Sequence, residues 1–219
     1  MTLSTEHLDG SETGREAAEQ AGDPAKARVD EKRVESLMRE FLDAIGEDPD
    51  REGIRRTPGR IARMYTELLR GYEEDPRKHL AVTFPEDHHE IVLLKGIPFA
   101  SLCEHHFLPF TGYAHLAYIP AGRVVGLSKL ARLVEGYARR PQVQERMTGQ
   151  IADALVEALA PAGAGVVIQG SHSCMAIRGI QKPGAVMLTS ALRGTFLNDT
   201  ASRSELLSLL RLPDQGFGL

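Results

Sequence analysis

Ser101-Leu102-Cys103-Glu104-His105-His106 concentrates one of the chain's two cysteines and two of its eight histidines in four consecutive positions. Far downstream, Ser171-His172-Ser173-Cys174-Met175 gives the second cysteine a histidine of its own. Thiolate and imidazole are the donors a borderline-soft divalent ion prefers, so the two stretches read as halves of one zinc site. Cys103, His106 and Cys174 supply three ligands and leave the fourth tetrahedral position to water, the pattern of a catalytic zinc. A structural zinc would need a fourth protein ligand, for which only His105 and His172 are at hand. Two plainer accounts compete: small buried cysteines beside satisfied histidines, and a disulfide. The histidine beside each cysteine weighs against the first. Against the second, residues 1–30 are polar and lack the apolar core of a secretory signal, so a reducing cytoplasm is expected.

Composition sets the outer bounds. With 219 residues and 42% apolar side chains, the chain has enough material for a substantial core. A formal net charge of -4 argues against general nucleic-acid affinity. No apolar run approaches the roughly 20 residues that span a bilayer, so neither nucleic acid nor membrane is an expected partner.

Residues 1–28 are rich in Glu, Ser, Thr, Gly and Ala and nearly devoid of large apolar groups, which predicts a disordered tail. From there Val34, Leu37, Met38, Phe41, Leu42 and Ile45 recur at helical spacing, and Gly46 is placed to end the helix. Thr57-Pro58 reads as an N-cap and first turn, opening a second helix over 58–70 with Ile61, Met64, Tyr65, Leu68 and Leu69 on its apolar face. Together they form an expected N-terminal helical part, 29–72, followed by a main domain, 73–219.

Residues 71–85 read as irregular, 90–95 as a short strand before the metal stretch, and 110–120 as a second strand. A third helix follows Gly126-Leu127 with Ser128 as its expected cap, and a fourth follows Pro141 with Val143, Met147, Ile151, Ala154, Leu155 and Leu159 in register. Strands at 165–169 and 186–189 and a helix over 203–212 complete the pattern. If a strand continued through His172 and Cys174, their i, i+2 spacing would point both side chains the same way.

Gly126-Leu127-Ser128-Lys129-Leu130-Ala131-Arg132 sets a serine, a lysine and an arginine on the first turns of a helix, where backbone N–H groups favour an anion such as a polyphosphate. A cap with two solubilising charges is the plainer account of the same residues. Gln142-Val143-Gln144-Glu145-Arg146 then offers amides and a carboxylate able to accept two N–H bonds from a guanine-type edge.

These motifs, with Gly46-Glu47-Asp48-Pro49-Asp50-Arg51-Glu52-Gly53, Thr57-Pro58, Cys174-Met175 and Arg178-Gly179, appear in the order found in GTP cyclohydrolase I, and over 34–212 the chain resembles that family. The resemblance implies an α+β tunnelling fold, an antiparallel sheet with helices on one side, whose subunits assemble into a barrel, usually a homodecamer with active sites between subunits. It implies Zn2+ on Cys103, His106 and Cys174, with His105 and His172 as catalytic groups beside the purine. Ser128, Lys129, Arg132 and Arg178 match triphosphate-binding positions, Arg60 and Arg63 match basic positions of the N-terminal part, and Gln144 and Glu145 match the guanine-reading pair. The implied reaction is hydrolysis of GTP at C8, release of formate and rearrangement to 7,8-dihydroneopterin triphosphate. Three departures stand out: Gln169-Gly170-Ser171 replaces a family Glu-Ala-Thr before His172, Arg63 replaces a common lysine, and 185–189 loses polar groups. They motivate two alternatives, a purine-nucleotide hydrolase that stops at a ring-opened product and a non-catalytic GTP-binding regulatory paralogue.

Overall fold

The computed structural model describes residues 29–213, so the tail expected over 1–28 and the last residues of the expected 73–219 domain lie outside it. Helix α1 (Glu31–Ala44) is capped by Asp30, whose carboxylate accepts from the Arg33 N–H at 3.0 Å, and it ends before Gly46 at φ +82°. Helix α2 (Thr57–Leu68) carries Pro58 in its first turn. Its cap position falls on Arg56 rather than Thr57, whose hydroxyl accepts from the Arg60 guanidinium at 3.1 Å. The two helices pack on each other, and the Thr66 hydroxyl donates to Glu31 at 3.0 Å. Their apolar spacing is real but is not spent on this contact: Leu37, Phe41 and Ile45 are each more than half exposed.

The stretch read as irregular contains two 3-10 turns, Arg70–Tyr72 and Pro76–Ala81, and strand β1 (Thr83–Pro85), which pairs with β4 (Arg123–Val125). Such short elements depend on partners distant in sequence, so local pattern carries little of them. Asp75 caps the second turn, accepting from the Arg77 N–H and guanidinium at 3.0 Å, and the Arg77 hydrogen bond holds its carboxyl below the ordinary 3.8. That stabilisation is present above the unfolded value and lost as pH falls through the depressed folded one. Asp75→Ala is expected to cost about 1 kcal/mol in urea unfolding at neutral pH, with the deficit shrinking in acid.

The main sheet has five strands in the order β5-β2-β3-β6-β7. Strands β2 (Val92–Cys103), β3 (Pro109–Ile119), β6 (Gly163–His172) and β7 (Met187–Gly194) pair antiparallel, and β5 (Pro141–Gln142) adds a short parallel edge on Leu102 and Cys103. Strand β2 therefore runs into the metal stretch as far as Cys103 instead of stopping before it. A register shift between Leu94 and Ile97, with Gly96 at φ +69°, explains how. Val92 and Leu94 face the core before the bulge, and Ile97 and Phe99 after it, so the inward set changes from even to odd numbers. Continued by twos, that odd set delivers Ser101 and Cys103 to the core side.

Helices α3 (Leu127–Ala138) and α4 (Gln144–Leu159) cover that face, α3 over β2 and α4 over β6 and β7. Leu130, Leu133 and Val134 of α3 meet Met147, Ile151 and Leu155 of α4 above Phe110, Leu116, Val166 and Ile168 of the sheet. Burial of this apolar surface, worth roughly 25 cal/mol per Å2, is what holds the layers together. Two further helices follow the Cys174 turn, described below, and β7: α6 (Thr195–Asn198) and α7 (Thr200–Arg211), the latter capped by Asp199. Phe196 and Leu206 from this pair bury Ala117 and the partly buried Ile119. Those are odd-numbered β3 residues, so one end of the opposite face is covered too, a departure from the expectation of helices on one side only. The rest of that face stays open, with Tyr113 and Leu188 exposed. Among the described residues, no helix is long and apolar enough to cross a membrane.

Candidate metal centre and active site

Cys103 is the last residue of β2, and the chain turns back on it at once. The Cys103 N–H donates to the Leu108 carbonyl at 2.9 Å, and the Cys103 carbonyl accepts from the Phe107 N–H at 2.8 Å. This tight turn, with Phe107 at φ +53°, brings His106 Nδ1 to 3.8 Å from Cys103 Sγ. Glu104 anchors it from outside: its N–H donates to the Gln142 carbonyl at 3.1 Å, and its carboxylate accepts from both terminal guanidinium nitrogens of Arg146 on α4, one at 2.7 Å. That hydrogen-bonded pair holds the Glu104 carboxyl below its ordinary 4.5. Tyr65 of α2 meets the Phe107 ring edge-on at 6.4 Å, docking the N-terminal helices beside the turn.

The second half arrives from β6. Cys174 does not lie on the strand: β6 ends at His172, and a single turn of helix, α5 (Ser173–Ala176), carries the cysteine inward. The strand-face argument for His172 and Cys174 thus fails, and the turn brings the sulfur to the site instead. Ligand atoms of Cys103, His106 and Cys174 all lie within 4.8 Å of one another. Donors around a tetrahedral zinc stand roughly 3.6 Å apart, so the group needs only a small contraction to grip an ion. Both cysteines are free. Burial, and then the neighbouring Cys103 sulfur, push the Cys174 thiol above its ordinary 9.0. With its pKa raised, the Cys174 thiol resists ionising until a cation joins the two sulfurs, which suits a metal ligand.

His172 stands on the same sheet face. It is directly across from Phe110 in the β3–β6 register, and the rings stack at 4.5 Å with a 5° tilt. Burial pushes its pKa below 6.5, partly opposed by the Glu145 carboxylate. Its Nε2 is 2.9 Å from Gln144 Oε1. Expected beside Glu145 at the substrate, Gln144 is instead 1% exposed, its amide spent on the protein interior. Glu145, one residue on, is exposed. His105 is exposed, its ring 6.3 Å from that of His106. Arg178, also exposed, directs its guanidinium against His106 Nε2.

Other expected residues lie elsewhere in the chain. The Val125 N–H donates to the Tyr118 hydroxyl at 3.2 Å, and Tyr118 pairs with Val92, so α3 begins near the end of β2 opposite Cys103. The helix then runs about 18 Å back before Pro141 pairs with Leu102. Ser128 and Lys129 therefore sit roughly 20 Å from the cysteines of their own chain. Gly126 caps α3 in place of Ser128, leaving the exposed serine hydroxyl uncommitted to the helix end. Arg132 lines a separate groove with Arg70, Glu135 and Arg139. Arg60 and Arg63 are exposed on α2. Sequence reasoning overlooked the Glu104–Arg146 clamp and Phe110, although Glu104 and Arg146 lie inside the quoted motifs.

The family model described as GTP cyclohydrolase I matches residues 34–211. GTP cyclohydrolase 1 of Mycolicibacterium vanbaalenii is 59% identical over 186 residues, covering 84% of this chain and 92% of that one. The Rhodopirellula baltica enzyme of that name is 57% identical over 182 residues, with 83% and 80% covered. That of Halalkalibacterium halodurans is 55% identical over 186 residues, with 84% and 99% covered. Among solved structures, the apo archaeosine synthase QueF-Like aligns at a TM-score of 0.41 and 19% identity, over 48% of this chain and 94% of that one, too distant a likeness to bear on the fold. The matched span holds both cysteines, His106, His172 and the α3 basic residues, and on that match the chain belongs to the GTP cyclohydrolase I family.

Proposed function

We propose that this protein hydrolyses GTP at C8, releases formate and recloses the product to 7,8-dihydroneopterin triphosphate, using zinc held by Cys103, His106 and Cys174. The observation that carries the reading is the convergence of two thiols and an imidazole within 4.8 Å, beside a half-buried histidine on the same sheet face. Zinc, when bound, supplies Lewis acidity that brings the ionisation of water toward neutral pH. The protein's own groups do the rest. His172, kept neutral near pH 7 by burial, is able to take up a proton as the imidazole ring of the purine opens and return it afterwards. His105, exposed next to the ligand turn, is a second proton carrier for the same step. Glu145 accepts N–H bonds from the guanine edge, and Arg178 meets the phosphates near the metal end.

Ser128, Lys129 and Arg132 complete the triphosphate site from a neighbouring copy, and Arg60 and Arg63 add positive charge from the N-terminal helices. A separation of roughly 20 Å between Ser128 and the cysteines of one chain supports this sharing. So do Leu37, Phe41 and Ile45, whose exposed apolar face suits burial between subunits. We read the assembly as a homodecamer whose sheets join into a tunnelling-fold barrel, working in the cytoplasm, where thiols stay reduced. The division into a tail, a helical part over 29–72 and a catalytic domain over 73–219 belongs to the same proposal.

The reaction is tested by giving zinc-loaded protein GTP and following both products. Formate together with a pterin that fluoresces after oxidation and dephosphorylation is expected. Formate without pterin would replace this reading with a ring-opening hydrolase, and GTP binding with neither product would replace it with a regulatory role.

A further inference from the structure

Gln144 sits where four polar neighbours leave it one orientation. Its Nε2 lies 3.2 Å from the Ile168 carbonyl, 3.1 Å from the Met187 carbonyl and 3.1 Å from Thr189 Oγ1. The two carbonyls can only accept. The hydroxyl is committed as well: Thr148 Oγ1 donates to the Gln144 carbonyl at 2.7 Å, so the 2.7 Å contact between Thr148 and Thr189 takes its proton from Thr189. Every neighbour of Nε2 is thus an acceptor, and a flipped amide would set its oxygen against two carbonyl oxygens. Oε1 must face His172, 2.9 Å away, and an oxygen there requires a donor.

We infer that Gln144 is a positioning residue that locks His172 in the tautomer with its proton on Nε2, leaving Nδ1 as the nitrogen with a free lone pair. The inference rests on the reading that His172 serves the hydrolytic centre, and it assigns Gln144 a task other than touching the substrate. Two neighbours make the lock fit. Phe110 stacks on the imidazole at 4.5 Å and sets the plane of the ring. Gly170 leaves the space that Oε1 occupies: a Cβ there would come within 2.3 Å of that oxygen. Because Gln144 is 1% exposed and anchored to two strands and its own helix, the tautomer is set before any ligand arrives.

Solid-state NMR of the full-length zinc-loaded protein with 15N- and 13C-labelled histidine reads the tautomer directly, with a His172→Gln sample to assign the signals. At a pH where the ring is neutral, wild type is expected to show one His172 species with a protonated Nε2 and a bare Nδ1. A protonated Nδ1, or a mixture, in wild type overturns the inference without recourse to any variant. Gln144→Met removes the acceptor at nearly constant volume and is expected to give both tautomers. Gln144→Glu, buried and protonated, can donate to a carbonyl and still accept from His172, so it is expected to restore the single species. Gly170→Ala displaces Oε1 while keeping the glutamine and is expected to behave like Gln144→Met. Variants that retain the single Nε2–H species despite losing Oε1 would overturn the assignment to Gln144. In turnover, Gln144→Met is expected to lower kcat on the order of 100-fold with KM for GTP nearly unchanged, whereas a substrate-reading role would raise KM and overturn the inference. Wild type with the expected tautomer but no conversion of GTP refutes the proposed function alone.

Discussion

Cys174→Ser is expected to strip the site of metal and to abolish formate release while leaving the protein folded. The serine hydroxyl is nearly isosteric with the thiol but does not ionise near neutral pH, so it offers zinc no anionic ligand. Cys174 reaches the site on the single turn α5, outside the strands that hold the core, and it is only partly buried. Cys174 packs only at the margin of the core that holds Met147, Ile151 and Leu155, and a serine of nearly the same size is expected to keep that packing. Groups that merely orient a metal ligand cost about 10- to 100-fold in metal affinity or activity, and loss of a ligand itself should exceed that. Metal content per chain, measured after dialysis, should fall close to zero, with near-UV circular dichroism unchanged. A variant that retains zinc and turnover would show that Cys174 is not a ligand.

The second large effect concerns how one site is put together. Lys129→Ala should weaken GTP binding by about 1.5–3 kcal/mol through loss of a charge-assisted contact, and Cys174→Ser should be inactive for want of metal. The two lesions lie on different elements of a chain, one at the start of α3 and the other after β6. If a site takes its metal half from one copy and its phosphate half from another, mixed assemblies contain sites with both halves intact. Random mixing in equal amounts should return about a quarter of wild-type activity, under GTP concentrations at which neither parent turns over. Mixtures that remain as inactive as their parents at every ratio would contradict a shared site.

Much of this was legible in the sequence because the chemistry is concentrated in few residue types. Two cysteines, each with a histidine neighbour, suggest a ligand set from the sequence, and the side chains of Cys103, His106 and Cys174 do converge as a group able to hold a metal. The amphipathic helices were equally plain, since Leu130, Leu133 and Val134, or Met147, Ile151 and Leu155, repeat at the spacing of a buried helix face. What escaped was set by tertiary partners. The bulge at Lys95 and Gly96, which turns Cys103 to the core side, was signalled only by a glycine inside an apolar run. Strand β1 exists because of β4. The family resemblance pairs Gln144 with Glu145 as guanine readers, but the first turn of α4 rotates adjacent residues about 100° apart. One therefore faces Ile168 and His172 while the other faces solvent. Sequence adjacency in a helix is a poor guide to shared function.

The N-terminal helices show the same limit from the other side. Their periodicity correctly identified helices, yet Leu37, Phe41 and Ile45 find no cover within the described residues. A pattern reports that a face is to be buried; it does not say against which chain.

The measurement that bears most directly on the proposed reaction uses GTP labelled with carbon-13 at C8 and zinc-loaded wild-type protein. The label is expected to leave as formate, one for each pterin formed, because C8 is the atom expelled when the purine is opened and reclosed. Label that stays with the nucleotide, while zinc and GTP are both bound, would contradict the account.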